Sequence, residues 1–319
     1  MTSIKLQDLH ELSVKAFRRH GWQLILDNDP LDAVERSRLS VFWTDRTGAV
    51  SAARSSDENQ SVTLNFRGFA TASVSASDKT VHIRPECAEL SSDTLQHIAM
   101  DSLLPRLISE NGGLVLHAAT VSDGAEALCF VGASGQGKST LSAAMEREGW
   151  TLLGDDAIEI WTEGDEILAR SPYRSLRLFP DSTQQLFGDT PPNIAPVADY
   201  LDKWRIDSDD VAQPCDPIRL KAVFVLGPDD GSDTISLKRM SQTELCMALI
   251  AQSFALDPIE PNGVRRRMKT AGTVASVIPG YEINYPRKFD RLSEVIAQIN
   301  AVFLDNGHPE QFTSAHKVS

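Results

Sequence analysis

The run Gly132-Ala-Ser-Gly-Gln-Gly-Lys-Ser139 matches G-x4-G-K-[ST] at every fixed position and constrains this chain more than any other stretch. Its glycines permit backbone conformations that side chains forbid, so successive N–H groups can converge on one anion. The flanks have the right character. Ala127-Leu-Cys-Phe-Val131, just ahead, is short, apolar and β-prone, and predicts a buried strand. Residues 139–148, just behind, place Leu141, Ala144 and Met145 at helical spacing, with Glu146, Arg147 and Glu148 toward water. Strand, glycine loop and helix are the order a phosphate cradle needs, because the helix start adds free N–H donors and a positive dipole end. Gly132, Ala133, Ser134, Gly135, Gln136, Gly137, Lys138, Ser139 and Thr140 are therefore the expected contacts for ATP. Lys138 is expected on the β- and γ-phosphates and the Ser139 hydroxyl on Mg2+.

One short predicted helix further on, Asp155-Asp156 ends the apolar run Trp150-Thr-Leu-Leu153. Carboxylates at a strand end beside such a loop can hold Mg2+ directly or through water, and one can take a proton from an attacking hydroxyl. His117, in Leu114-Val-Leu-His-Ala118, closes another apolar run, and on its own it reads as a core or edge residue. Downstream, Tyr173-Arg174-Ser-Leu-Arg177 offers two guanidinium groups. Either Arg174 or Arg177 suits a transferring phosphoryl group, because guanidinium matches phosphate oxygens in bidentate fashion; a surface ion pair in an acidic protein is the alternative for Arg174.

Taken in order, Leu116-His117-Ala118, the loop 132–139, and Gly149-Trp-Thr-Leu-Leu-Gly-Asp155-Asp156-Ala-Ile-Glu159 resemble the catalytic domain of the HPr kinase/phosphorylase superfamily. That superfamily has a P-loop kinase core related to phosphoenolpyruvate carboxykinases. The resemblance is most specific over residues 114–160 and extends, more weakly, through Ile299. It implies that Asp155 acts as base toward a hydroxyl, that Asp156 helps with metal, and that His117 orients the acidic pair. It also implies ATP- and Mg2+-dependent phosphorylation of a serine, and a symmetric homo-oligomer. A glycine signature of the type R-G-L-G-I, present in HPr kinases proper, is missing. Pro172-Tyr-Arg-Ser-Leu-Arg177-Leu-Phe-Pro-Asp181 and Asp202-Lys203-Trp-Arg205-Ile-Asp207 stand downstream instead. In this the chain looks like the diverged HPr-kinase-like proteins, including those encoded with lasso-peptide biosynthesis, which phosphorylate a serine of the precursor peptide. A kinase for free serine and a non-catalytic nucleotide-binding regulator are the alternatives.

Bulk properties narrow the partners. A net charge of −13 and a pI near 5 argue against nucleic acid or an anionic membrane. The partner expected is a peptide or protein that bears a serine. No apolar run reaches membrane-span length, and the start lacks signal-peptide order. Cys87, Cys129, Cys215 and Cys246 are dispersed without a C-x-x-C pair, so neither a zinc site nor a disulfide framework is indicated. A cytoplasmic location is the simple expectation.

The class predicted is α/β: a P-loop kinase sheet flanked by helices, preceded by a smaller β-rich N-terminal domain. Short β-prone runs separated by Gly, Asp, Asn and Ser mark residues 1–94 as that first domain. Residues 95–304 form the expected kinase domain and 305–319 a loose tail. His82 and His97 read as structural. Residues 188–215, rich in Pro and Asp, read as one long loop, with Lys203 and Arg205 either in local salt bridges or as an anion-binding pair. Residues 220–226 predict a buried strand that turns at 227–231 and returns along itself through 234–237. Ser241-x-x-Glu244 predicts a capping box. Arg265-Arg-Arg-Met-Lys269 reads as a solvated helix face or a contact for phosphates or an acidic peptide.

Overall fold

A computed structural model of the chain describes residues 11–27, 29, 32–44, 50–55, 61–66, 68–86, 90–188, 194–206, 216–229, 231–304 and 312–313. The fold is mixed α/β and divides into two compact units. The first comprises Met1–Gly112 with the short pieces Pro196–Asp202 and Ala255–Val264; the rest forms the second. The division at Gly112 differs from the expected one at residue 94. The helical segment after residue 91 is tied into the first unit, where Lys79 Nζ donates to Asn111 Oδ1 at 3.0 Å and Asn111 Nδ2 to the His20 carbonyl at 3.1 Å.

In the first unit α1 (Glu11–Arg19) leads into β1 (Gln23–Leu26), and α2 (Ala33–Ser37) into β2 (Leu39–Thr44). β3 (Val50–Ser55), β4 (Val62–Phe66), β5 (Ala70–Ser75) and β6 (Thr80–Pro85) follow as an antiparallel meander. The sheet order is β1-β6-β5-β4-β3-β2, with β1 parallel to β6. Period-two alternation buries Val81 and Ile83 of β6 and turns His82 and Arg84 to Asp27, at 3.0 and 3.1 Å. α3 (Ser92–His97), a π-helical stretch Ile98–Leu103 and α4 (Leu104–Glu110) run on as one rod. The wide turns directly precede Pro105, which has no N–H for the ordinary helix ladder. His97 pairs with Asp101 at 2.7 Å on this rod.

The second unit is built on two adjacent parallel strands. β7 (Leu114–Leu116), β8 (Ala118–Ser122) and β9 (Glu126–Val131) precede α5 (Lys138–Arg147) and β10 (Thr151–Gly154). β11 (Ile158–Glu163), β12 (Glu166–Arg170) and β13 (Leu176–Leu178) lead to α6 (Pro180–Phe187), then β14 (Ile194–Ala198) and β15 (Leu201–Ile206), of which residues 196–202 count with the first unit, and the nine-residue β16 (Ile218–Leu226). β17 (Ser236–Arg239), α7 (Gln242–Ala251), α8 (Pro261–Val277, from Arg265 onward), β18 (Gly280–Asn284) and α9 (Leu292–Leu304) complete it. The main sheet order is β10-β8-β9-β16-β12-β11-β7. β16 is parallel to β9 along one edge; its other edge takes β12 at the start and β18, parallel, at the end.

Residues 127–131 of β9 and 222–226 of β16 are apolar throughout because both faces are covered there. Leu128, Phe130, Ala222 and Phe224 pack with Leu141 and Met145 of α5 and Val295 and Ile299 of α9. Ala127, Cys129, Val131, Leu220 and Val223 pack on the other face with Leu245 and Leu249 of α7 and Val274 and Ile278 of α8. α7 opens on the predicted capping box, with Glu244 N–H donating to Ser241 Oγ at 3.2 Å and Ser241 N–H to Glu244 Oε2 at 2.8 Å. Burial pushes the Cys129 thiol up to about 12.

Two sequence expectations need correction. Residues 188–215 are not one loop, since β14 and β15 lie within them; 189–193, 207–215 and the expected tail at 305–311 and 314–319 lie outside the described residues. β17 does not return along β16. It pairs with β18, Ser236 opposite Asn284, because β9 and β18 already occupy both edges of β16 there. Among the described residues, no helix is long and apolar enough to cross a membrane. Phe224, fully buried and packed against the rings of Phe130 and Tyr281, should anchor the sheet. Phe224→Ala is expected to cost about 3–5 kcal/mol, read from the denaturant midpoint.

Candidate functional site

Strand polarity brings the site together. β8 runs antiparallel to both β9 and β10, so those two strands point the same way and end at the same sheet edge. The glycine loop leaves the end of β9, and Asp155-Asp156 leave the end of β10. Gly135 and Gly137 take left-handed φ values of +82° and +86°, and Gly137 caps α5 with no side-chain hydrogen bond. The first N–H groups of α5 are thus left to the loop's concave side. Lys138 is 5% exposed, and its Nζ donates to the Gly132 and Ala133 carbonyls at 2.9 and 3.2 Å. Burial lowers its pKa, against the opposing pull of Asp155 and Asp156. Gln136 braces the loop through its Oε1, which accepts from Ala133 N–H at 2.5 Å, and Thr140 Oγ1 meets Ser182 Oγ at 3.2 Å.

The two aspartates have different surroundings. Asp155 is wholly buried: Oδ1 accepts from the Ser139 hydroxyl at 3.0 Å and Oδ2 from the Arg177 backbone N–H at 3.1 Å. Burial and the neighbouring Asp156 charge raise it to about 6, with Arg177 and Ser139 opposing. Asp156 retains 17% side-chain exposure and lines the cleft. Its Oδ2 lies 3.1 Å from Arg177 Nε and its Oδ1 3.4 Å from His117 Nε2. Burial would raise its pKa too, but Arg177 and His117 outweigh that and hold it well below the usual carboxylate range. Asp156 also sits at φ +80°, a strained conformation for a residue with a side chain.

Each partner is fixed by its own element. His117 occupies the kink between β7 and β8, where its N–H donates to the Gln252 carbonyl at 2.8 Å and its ring meets the edge of Phe254. Arg177 lies on β13, directly opposite Arg205 of β15. The alternation Leu176-Arg-Leu-Phe179 and Lys203-Trp-Arg-Ile206 sends Leu176, Leu178 and Ile206 into the core and turns Arg177, Phe179 and Lys203 to the cleft. Lys203 Nζ lies 4.9 Å over the Phe179 ring. Gly154, just before the acidic pair, has no room for a side chain: a Cβ would stand 2.0 Å from Ser171 Oγ.

His117, Ser134, Gly135, Gly137, Lys138, Ser139, Asp156, Arg177, Phe179 and Lys203 share one cleft. Arg174 is not among them; it lines a separate cavity of about 260 Å3 with Glu146, Leu152 and Phe187. Lys203 enters in its place; in sequence it read either as part of local salt bridges or, with Arg205, as an anion-binding pair. The signal for it was the alternation within Lys203-Trp-Arg-Ile206. Arg265, Arg266 and Lys269 lie on the exposed face of α8.

No family model matches the chain, and no curated protein does. The solved structure of an HPr(Ser) kinase/phosphatase from Coxiella burnetii aligns with 60% of this chain and 97% of its own length, at 13% identity and a TM-score of 0.32. A likeness that loose carries no argument, and what the cleft can do rests on its geometry.

The donor set fits Mg2+ arriving with phosphates. That ion takes one or two carboxylates plus phosphate oxygens, and the Ser139 hydroxyl and Asp155 carboxylate stand 3.0 Å apart at the loop. Proton linkage gives a check on the Asp155 environment. A carboxyl raised on folding holds its proton more tightly folded than unfolded. Its stabilising contribution is therefore full below its ordinary value near 3.8 and lost as pH rises through about 6. Asp156, held low, acts in the opposite sense and only below that window. Without divalent cations, the denaturant midpoint should fall between pH 4 and pH 6.5, and Asp155→Asn should flatten that fall. Gly154→Ala should lose about 1–3 kcal/mol of stability through overpacking against Ser171.

Proposed function

We propose that this chain transfers the γ-phosphoryl group of ATP, with Mg2+, to a serine hydroxyl of a peptide or protein; a lasso-peptide precursor is one such acceptor. The observation that carries the reading is the convergence of Lys138, Ser139, Asp155, Asp156, Arg177 and Lys203 at one loop. The acceptor class comes from the motif resemblance.

On this reading the loop N–H groups and Lys138 hold the β- and γ-phosphates, Lys138 exchanging its two carbonyl contacts for phosphate oxygens. Mg2+, when bound, offsets charge on those oxygens and aligns them for in-line attack. On this reading Ser139 would hold it, with Asp155 behind the Ser139 hydroxyl reaching it through water or once that hydroxyl turns to the ion. Asp156 faces the cleft and takes the proton of the acceptor hydroxyl as its oxygen bonds to the γ-phosphorus and the bond to the β-phosphate bridging oxygen breaks. This exchanges the two roles the sequence resemblance implies. A base must reach the proton it removes, and Asp155 is wholly buried with both oxygens engaged. The low pKa of Asp156 is no obstacle, because a loose phosphoryl-transfer transition state leaves the hydroxyl proton in place until late. His117, 3.4 Å from Asp156 Oδ1, holds that carboxylate in aim. Arg177 and Lys203 offset charge on the transferring group.

Mass spectrometry of a serine-containing peptide library and free serine, incubated with protein, ATP and Mg2+, tests the reading. A peptide serine gaining one phosphoryl group, lost in Lys138→Ala, is the expected result. Label on free serine alone would make the protein a metabolite kinase, and no label with tight ATP binding would make it a regulator. Asp156→Asn should lower kcat by about 10²–10⁴ with ATP affinity retained. Asp155→Asn should instead raise the Mg2+ concentration needed for half-maximal rate.

A further inference from the structure

We propose that the cavity walled by Tyr285, Arg287, Phe289 and Phe179 holds the purine base of the nucleotide, an inference that rests on reading the loop as its phosphate site. The cavity measures about 180 Å3, small for a whole nucleotide and suited to a base. It lies against Gly135 and Gly137 and shares Phe179 with the cleft, so a ligand can run from one to the other. Topology places it there. β18 is parallel to β16, which is parallel to β9, so residues that follow β18 emerge at the edge where the glycine loop begins. The approach is close: a Cβ on Gly137 would stand 3.1 Å from the Tyr285 hydroxyl and 3.7 Å from Arg287 Cδ.

The walls have the chemistry of a stacking platform. Arg287 is held flat, with Nη2 donating to the Gly227 carbonyl at 2.5 Å and Nη1 to the Tyr285 carbonyl at 3.2 Å. One face of its guanidinium covers the Tyr285 ring at 3.8 Å. A fixed planar cation stacks on the π-face of a base, as aromatic rings do. Phe179 remains 43% exposed although large and apolar, with Lys203 over its ring. The buried Tyr285 hydroxyl has the Arg287 side chain as its hydrogen-bonding neighbour, which adds to the hold on the guanidinium. Asp181, at the rim, offers an acceptor for a ring N–H or amino group.

Calorimetry with Mg2+ and ATP, GTP, CTP or inorganic tripolyphosphate tests the assignment. At least one purine nucleotide should bind about tenfold or more tightly than tripolyphosphate, and more tightly than CTP. Arg287→Ala and Phe289→Ala should each remove most of that margin while leaving tripolyphosphate affinity unchanged. The unchanged affinity also reports an intact loop. If a variant loses tripolyphosphate as well, Arg287→Lys, which keeps the charge but not the plane, is judged by the same margin. A margin unaltered in the variants, or CTP bound as tightly as both purine nucleotides, would overturn the base site while leaving the phosphate site standing. Failure of the wild type to bind either tripolyphosphate or ATP would remove both.

Discussion

β8 runs antiparallel to its neighbours on both sides, so β9 and β10 deliver their C-terminal ends to one edge of the sheet. The cleft depends on that polarity. The glycine loop and the acidic pair are separated in sequence by a whole helix, yet Ser139 and Asp155 meet at 3.0 Å. β16 and β18 extend the same logic. Running parallel to β9, they bring the segment after β18 to the loop as well. Apolar packing on both faces holds the strands in that register, so the chemistry at the edge is positioned by a core that takes no part in it.

The edge itself is held against a cost. Lys138, Asp155 and Arg177 are almost entirely removed from water, and isolated charges there would be strongly disfavoured. They are tolerated because each is answered: Lys138 by two carbonyls, Asp155 by a hydroxyl and a backbone N–H, Asp156 by Arg177 and His117. Burial and the Asp156 charge push Asp155 one way, while Arg177 and His117 push Asp156 the other. Asp155 is raised to about 6 and Asp156 held low, which lets adjacent residues of one type take different tasks. The left-handed backbone of Asp156 aims its side chain into the cleft while that of Asp155 turns inward.

Local signals made much of this legible in sequence. The loop, the strand before it and the helix after it follow from fixed spacing and period, and the capping box of α7 from four residues. The acidic pair was legible as a pair, but the different surroundings of its two carboxylates were not, because burial and the reach of Ser139 depend on packing across the sheet. Lys203 was legible only as one of two alternatives, a local salt bridge or an anion contact, and Arg287 drew no notice, because distant strands carry them in. Lys203 arrives through the pairing of β15 with β13, inside a segment whose Pro and Asp content masked two strands. The turn at 227–231 was visible; that β17 would pair with β18 was not, since the strand occupying the edge of β16 arrives only after two intervening helices.

The central claim is that the loop and the Asp155 side of the pair hold Mg2+ and nucleotide, while the Asp156 side faces the acceptor. A crystal structure with ADP, Mg2+ and a planar phosphoryl-transfer analogue such as aluminium fluoride tests it most directly. The account predicts the nucleotide phosphates on the loop, Mg2+ against Ser139 and Asp155, and Asp156 facing the in-line position of the analogue. Mg2+ bonded to Asp156 with Asp155 turned to the acceptor, or a nucleotide bound away from the loop, would contradict it.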